Sequence, residues 1–250
     1  MDRFGSSKLR MVWAGICVLL TGLVLTGIQG FGPDGSQLMV FGTGIPLGFE
    51  DPKPYVIQNL GRIIYTLVPA VILLGGFIPL GEWLGAGGRT ERFKGLVVGT
   101  SLAFVHGLFL GQMAILPVLA ASYRFLGNPF APAILLADLN AVILGLQLLL
   151  WAAALGLLMK SNRGLAILLA YGLNEVGRVM AWGGEFLGDL EVPKALVKGM
   201  AVLGKSLPSG QLPSDPLAWS ALPLSLGVPL ALAVLMLLLP GPKAAKRSRA

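Results

Sequence analysis

The chain has 250 residues, of which 55% are hydrophobic and only 12% are Asp, Glu, Lys or Arg, a balance that excludes a soluble globular domain. Its net charge of +7 is sorted along the sequence in a way that excludes nucleic acid as the partner. Most basic residues gather in four short stretches: the N-terminus (Arg3, Lys8, Arg10), the segment after Gly81 (Arg89, Arg92, Lys94), the link from Lys160 to Arg163, and the tail (Lys243, Lys246, Arg247, Arg249).

Between them lie connections that hold Asp34, Glu50, Asp51, Glu185, Asp189, Glu191 and Asp215. Lys and Arg are retained on the cytoplasmic side of a membrane, so the basic stretches belong inside and the acidic connections outside. The positive charge is therefore a topology signal, with attraction to anionic membrane lipid as a secondary effect. The expected fold is an all-α membrane protein, one domain over residues 1–250, with six transmembrane helices and both termini cytoplasmic.

The first apolar segment, Met11 to Ile28, follows Lys8 and Arg10 as a signal peptide would. Its apolar run is too long and no A-x-A-like site follows, so it reads as an uncleaved helix. Cys17 lies within it as the chain's single cysteine, which excludes an intrachain disulfide or thiolate metal site. A long connection rich in Gly and Pro, Gln29 to Leu60, leads to the second segment, Gly61 to Gly81, which carries Pro69 and Pro79. After the basic inner loop comes the third, Gly95 to Tyr123, with two G-x-x-x-G spacings, Gly95/Gly99 and Gly107/Gly111, that suggest close helix contact.

A short outer turn, Arg124 to Ala131, precedes the fourth segment, Pro132 to Met159, and the fifth, Gly164 to Trp182. The connection Gly183 to Ala218 is the largest. Its middle, Val192 to Leu203, reads as a short amphipathic helix with enough apolar surface to pack on the membrane domain or dip into the bilayer. The sixth segment, Trp219 to Leu239, contains Pro223 and Pro229.

Gly199 to Ser206 satisfies the P-loop pattern G-x-x-x-x-G-K-[ST] letter for letter. A phosphate cradle needs a buried strand before it and a helix after it, whereas here a proline-rich stretch follows. The ionisable groups inside spans carry more weight. His106 and Glu175 each lie about eleven residues, or ~16 Å, along their helices from the cytoplasmic end. Arg178 is three residues after Glu175 and shares its helix face. These three define either a substrate or proton path or a set of packing contacts. Asp138 and Asn140, nearer the outer end of the fourth segment, read as packing or rim groups. No catalytic constellation, metal site or cofactor motif is visible, and a single histidine excludes a multi-His metal site.

The stretch from Tyr65 through the step Gly81-Glu82, the loop containing Arg89, Glu91, Arg92, Phe93 and Lys94, and the long third segment resemble ABC-2-type transporter permease subunits of the short six-helix class. Glu82 stands at that family's acidic position, while Trp83 to Glu91 replaces its usual continuation. The resemblance implies a dimer, with itself or a second permease, driven by a separate ABC-type ATPase subunit that hydrolyses ATP. The loop residues Glu82, Arg89, Glu91, Arg92 and Phe93 would couple to that ATPase, and the setting would be the bacterial inner membrane. Without the resemblance, the same loop is a solvated basic segment and the chain a non-catalytic anchor or assembly subunit of a larger membrane complex. A proton-linked carrier using His106 and Glu175 is a third reading, weakened by the lack of evident inverted repeats.

Overall fold

Apolar runs become helices because a backbone deprived of water must satisfy its polar groups within its own segment. The computed structural model describes residues 3–32, 35, 37–48, 51–84, 93–159, 163–188, 193–208 and 222–238, and it is mostly helical. Four helical stretches are long and apolar enough to cross a membrane: Lys8–Gly27, Pro52–Phe77, Gly95–Leu126 and Pro132–Leu158. They lie in α1 (Arg3–Gly27), in α2 (Pro52–Leu84), in a composite third helix and in α5 (Pro132–Leu158). The composite helix joins a π-helical turn (Gly95–Gly99), α3 (Thr100–Ala114) and α4 (Leu116–Leu126). Helices α6 (Arg163–Gly188), α7 (Lys194–Ser206) and α8 (Leu222–Leu238) complete the chain.

The connection after the first segment is more ordered than its Gly and Pro content suggested. It forms an antiparallel sheet of β1 (Ile28–Phe31), β2 (Gln37–Val40) and β3 (Thr43–Pro46), and α2 begins at Pro52, nine residues before the expected Gly61. Phe41 and Gly42, both at positive φ, make the two-residue turn between β2 and β3, the conformation that matches strand twist in a tight hairpin. The Phe41 amide donates to the Gly27 carbonyl at 2.7 Å and docks that turn on the end of α1. Arg124 donates through both Nε and Nη2 to the Leu25 carbonyl, fixing α4 to the same place.

The centre of the bundle is α2. Against the third helix it runs antiparallel in steps of four: Val68 meets Gly111, Ile72 meets Gly107, and Gly76 meets Ala103. Against α5 it runs parallel, with Ile72 on Gly145 and Gly76 on Leu149. The seam on α2 is a buried row of Leu60, Ile64, Val68, Ile72, Gly76 and Leu80. Opposite it lies a buried row of small residues, Gly95, Gly99, Ala103, Gly107 and Gly111, which extends the two G-x-x-x-G pairs into one continuous strip. Rows spaced by four pack in the right-handed crossing class typical of such small-residue seams. A four-residue repeat drifts around a 3.6-residue helix, and the wider π turn at Gly95–Gly99 offsets part of that drift by rotating less per residue.

Two apolar clusters stack along the bundle. One gathers Leu60, Ile64 and Val68 with Val118 and Ile134. The other gathers Phe77 and Leu80 with Leu148, Trp151, Ala166, Ala233 and Leu237. Through the second cluster α8 packs against α5. Helix α1 is peripheral, with Leu9, Met11, Val12, Val18 and Leu19 all exposed, although Cys17 is buried.

Candidate functional site

Helix α7 folds back along α6. Met200 Cε sits against Gly183, and Leu207 and Pro208 sit against Gly177, so the two helices are antiparallel over that length. Gly177 is needed for this approach, because a Cβ there would stand 2.5 Å from the Pro208 carbonyl oxygen. It lies eleven residues before the end of α6, so α7 descends ~16 Å beside its neighbour, to the middle of that helix. The sequence Gly199 to Ser206 that imitates a P-loop is helical throughout within α7 and offers no loop to surround a phosphate.

At that depth α6 carries its polar residues. Arg178 donates through Nη2 to both carboxylate oxygens of Glu175 at 2.6 Å, a contact that the three-residue spacing on one helix face permits. The side chains of Arg178 and Glu175 are 53% and 49% exposed, so the pair faces out of the chain and not into the bundle. Asn174, one residue earlier, is buried; its Nδ2 reaches Glu175 Oε1 at 3.4 Å, while its Oδ1 meets no donor. Across α5, Gln147 Nε2 donates to Ser225 Oγ at 2.8 Å, a buried side-chain bond that ties the start of α8 to the middle of α5.

Asp138 and Asn140 have different surroundings although two residues apart. Asp138 accepts from Gln112 Nε2 at 3.1 and 3.2 Å and joins α5 to α3. Asn140 is buried with neither Nδ2 nor Oδ1 paired. An unpaired buried amide costs ~1–3 kcal/mol, so its presence among alanines and leucines asks for an explanation beyond packing.

His106 is partly buried on α3, immediately before the seam residue Gly107. Trp13 Nε1 donates to the Leu110 carbonyl at 3.0 Å, and the contacts Trp13–Leu110 and Leu25–Arg124 are offset by 97 and 99 residues, so α1 and the third helix are parallel. That register brings Arg10 level with Gly107, placing His106 beside a cation of α1. His106 therefore sits near the α1–α3 contact, away from Glu175 and Arg178 on α6, and these three residues do not converge on one site.

Of the loop residues, Arg89, Glu91 and Arg92 lie outside the described residues, as does the side chain of Glu82 in the last turn of α2. Phe93 is 51% exposed. Among the described residues no group of three or more His, Cys, Asp or Glu could hold a metal ion. Gln112, Gln147, Asn174 and Ser225 escaped the sequence reading. The available signal was their polarity within apolar runs, which apart from Asn140 singled out ionisable groups and passed over the other amides and the hydroxyls. No protein-family model matches the chain, and no curated protein or solved structure matches it.

Proposed function

We propose that the chain is the membrane-spanning permease subunit of an ABC-type exporter, with six spanning segments, both termini cytoplasmic, and ATP hydrolysis on a separate subunit. The observation that carries this reading is the descent of α7 to the middle of α6, where it ends at the level of Glu175 and Arg178 but on the opposite face of that helix. Non-helical backbone at membrane depth is tolerated only where protein or water satisfies it. In transporters such broken segments gather near the midplane, where half-helix ends and unwound carbonyls face the substrate. Asn174, Glu175, Arg178, Gln147 and Ser225 would line this level, and the exposed ring of Phe93 would stand at the start of the third helix for contact with the ATPase. Alternating access would then follow from ATPase closure pushing on Glu82, Arg89, Glu91, Arg92 and Phe93.

Purification of the tagged chain from native membranes in mild detergent, with mass spectrometry of what remains bound, tests the proposal. An ABC-type ATPase at comparable abundance, whose activity falls on changing Arg92 and Phe93 to Ala, is the expected result. Normal coupling in a well-assembled double variant would count against it.

The outward-facing Glu175–Arg178 pair favours a second reading, a non-catalytic membrane subunit that joins a larger complex through α6. Polar and charged groups inside a membrane generally face protein or water. Recovery of a different membrane complex without an ATPase would select this second reading.

A further inference from the structure

A groove of about 890 Å³ lies between α2 and α6, within the ~300–1,000 Å³ range of small-molecule sites. Its α2 wall is a single helix face from Asn59 to Leu74, fifteen residues or ~22 Å long. The wall is polar at one end, where Asn59, Arg62 and Thr66 stand, and purely aliphatic towards Leu74. From α6 come Leu168, Tyr171 and Gly172.

The depth of these ends follows from packing. Helix α5 is centred on Gly145, which meets Ile72 of α2. Arg62 lies ten residues from Ile72, ~15 Å from the level of the α5 midpoint, and is the last charged residue of α2 before the uncharged apolar run from Ile63 to Gly81. That distance is half the ~30 Å thickness of a hydrocarbon core, the level at which acyl chains give way to headgroups. The α2 wall thus runs from a headgroup boundary to the bilayer centre and covers one leaflet. Arg62 is exposed, and among the described residues its guanidinium pairs with no carboxylate.

We propose that this groove binds one anionic phospholipid, with an acyl chain along the α2–α6 cleft and its phosphate held by Arg62. A guanidinium fork matches phosphate oxygens two at a time, and a net-negative headgroup adds attraction that a zwitterionic one lacks. The assignment is independent of the exporter reading and requires only that α2 and α5 span the membrane. The occupant is a lipid and not a second copy of the chain because the single charge of the groove is a cation at headgroup depth, with no acidic lining residue that a symmetric partner would need opposite it.

Gly172 provides a plug. A Cβ there meets nothing within 4 Å, so a side chain added at this groove-lining position starts in open space. The experiment is native mass spectrometry of the full chain with added phosphatidylglycerol or phosphatidylcholine of matched acyl chains. The variants are Arg62→Gln, Arg62→Lys and Gly172→Trp, each checked for unchanged thermal unfolding. The expected result is one retained phosphatidylglycerol in the wild type, retention about tenfold weaker in Arg62→Gln, partial recovery in Arg62→Lys, and loss of both lipids in Gly172→Trp. Equal retention of the two lipids, unchanged by any variant, would mean ordinary surrounding lipid and overturn the proposal. So would a Gly172→Trp protein that keeps its lipid but loses an oligomer, since the groove would then be a subunit contact. Should Gly172→Trp fail to fold, the exposed Arg62 pair of variants decides by itself.

Discussion

The carbonyl oxygen of Ile72 stands 2.5 Å from the point that a β-carbon on Gly107 would occupy, and the Cα of Ile72 is 3.0 Å from it. The obstacle is backbone, so no rotamer change relieves it. On its other side the Ile72 side chain fills the space that a β-carbon on Gly145 would need. One isoleucine is thus held between two helices that can approach only because both present hydrogen.

Gly107→Val is therefore expected to destabilise the bundle by about 1–3 kcal/mol through overpacking. Gly172→Ala, in open space on α6, is expected to stabilise by about 0.5–1 kcal/mol through reduced backbone entropy. Thermal or denaturant unfolding in detergent compares the two. Opposite signs support the seam, and two neutral variants would remove it.

The Gln147–Ser225 bond should be measurable as a coupling. Intramembrane side-chain bonds average ~0.6 kcal/mol in double-mutant cycles, with a maximum near 1.7. A cycle of Gln147→Leu and Ser225→Ala is expected in that range, and a coupling of zero would mean that α8 does not rest on α5 at this point.

Asn140 invites a substitution that ought to help. Both of its amide atoms are buried without partners, so Asn140→Leu is expected to raise stability by about 1–3 kcal/mol. If the variant unfolds more easily than the wild type, the amide has a partner such as bound water, and the gain disappears.

Glu175 and Arg178 respond to the surroundings of α6. Removing the carboxylate leaves a cation at mid-helix, which costs ~2.5–3.5 kcal/mol on insertion scales. Glu175→Gln is expected to lower membrane insertion of α6, and the double variant Glu175→Gln/Arg178→Gln to restore it. Equal insertion of all three proteins would mean that this stretch of α6 lies in water.

Much of the helical frame was legible in the sequence, because long apolar runs leave the backbone few alternatives. The strip around Gly107 and Gly111 was foreshadowed by spacing alone, although its continuation through Ala103 was not, since alanine is unremarkable in any apolar run. The sheet over Ile28–Pro46 was missed because glycine and proline mark turns without revealing whether the short strands between them pair. The close contact of Glu175 with Arg178 follows from helical geometry. Its outward orientation does not, because that depends on α5 and α7 covering the opposite face. Nor does spacing along one helix reveal that His106 belongs with α1 and not with α6.

Helix α7 has 13 residues, ~20 Å, short of a full ~30 Å crossing. It rests on α6 while α8 rests on α5, and the two also meet directly, with Leu207 at the end of α7 packed on the cluster that holds Ala233 and Leu237 of α8. A shift of α7 along α6 is therefore felt by α8 through this contact, and through α8 by α5.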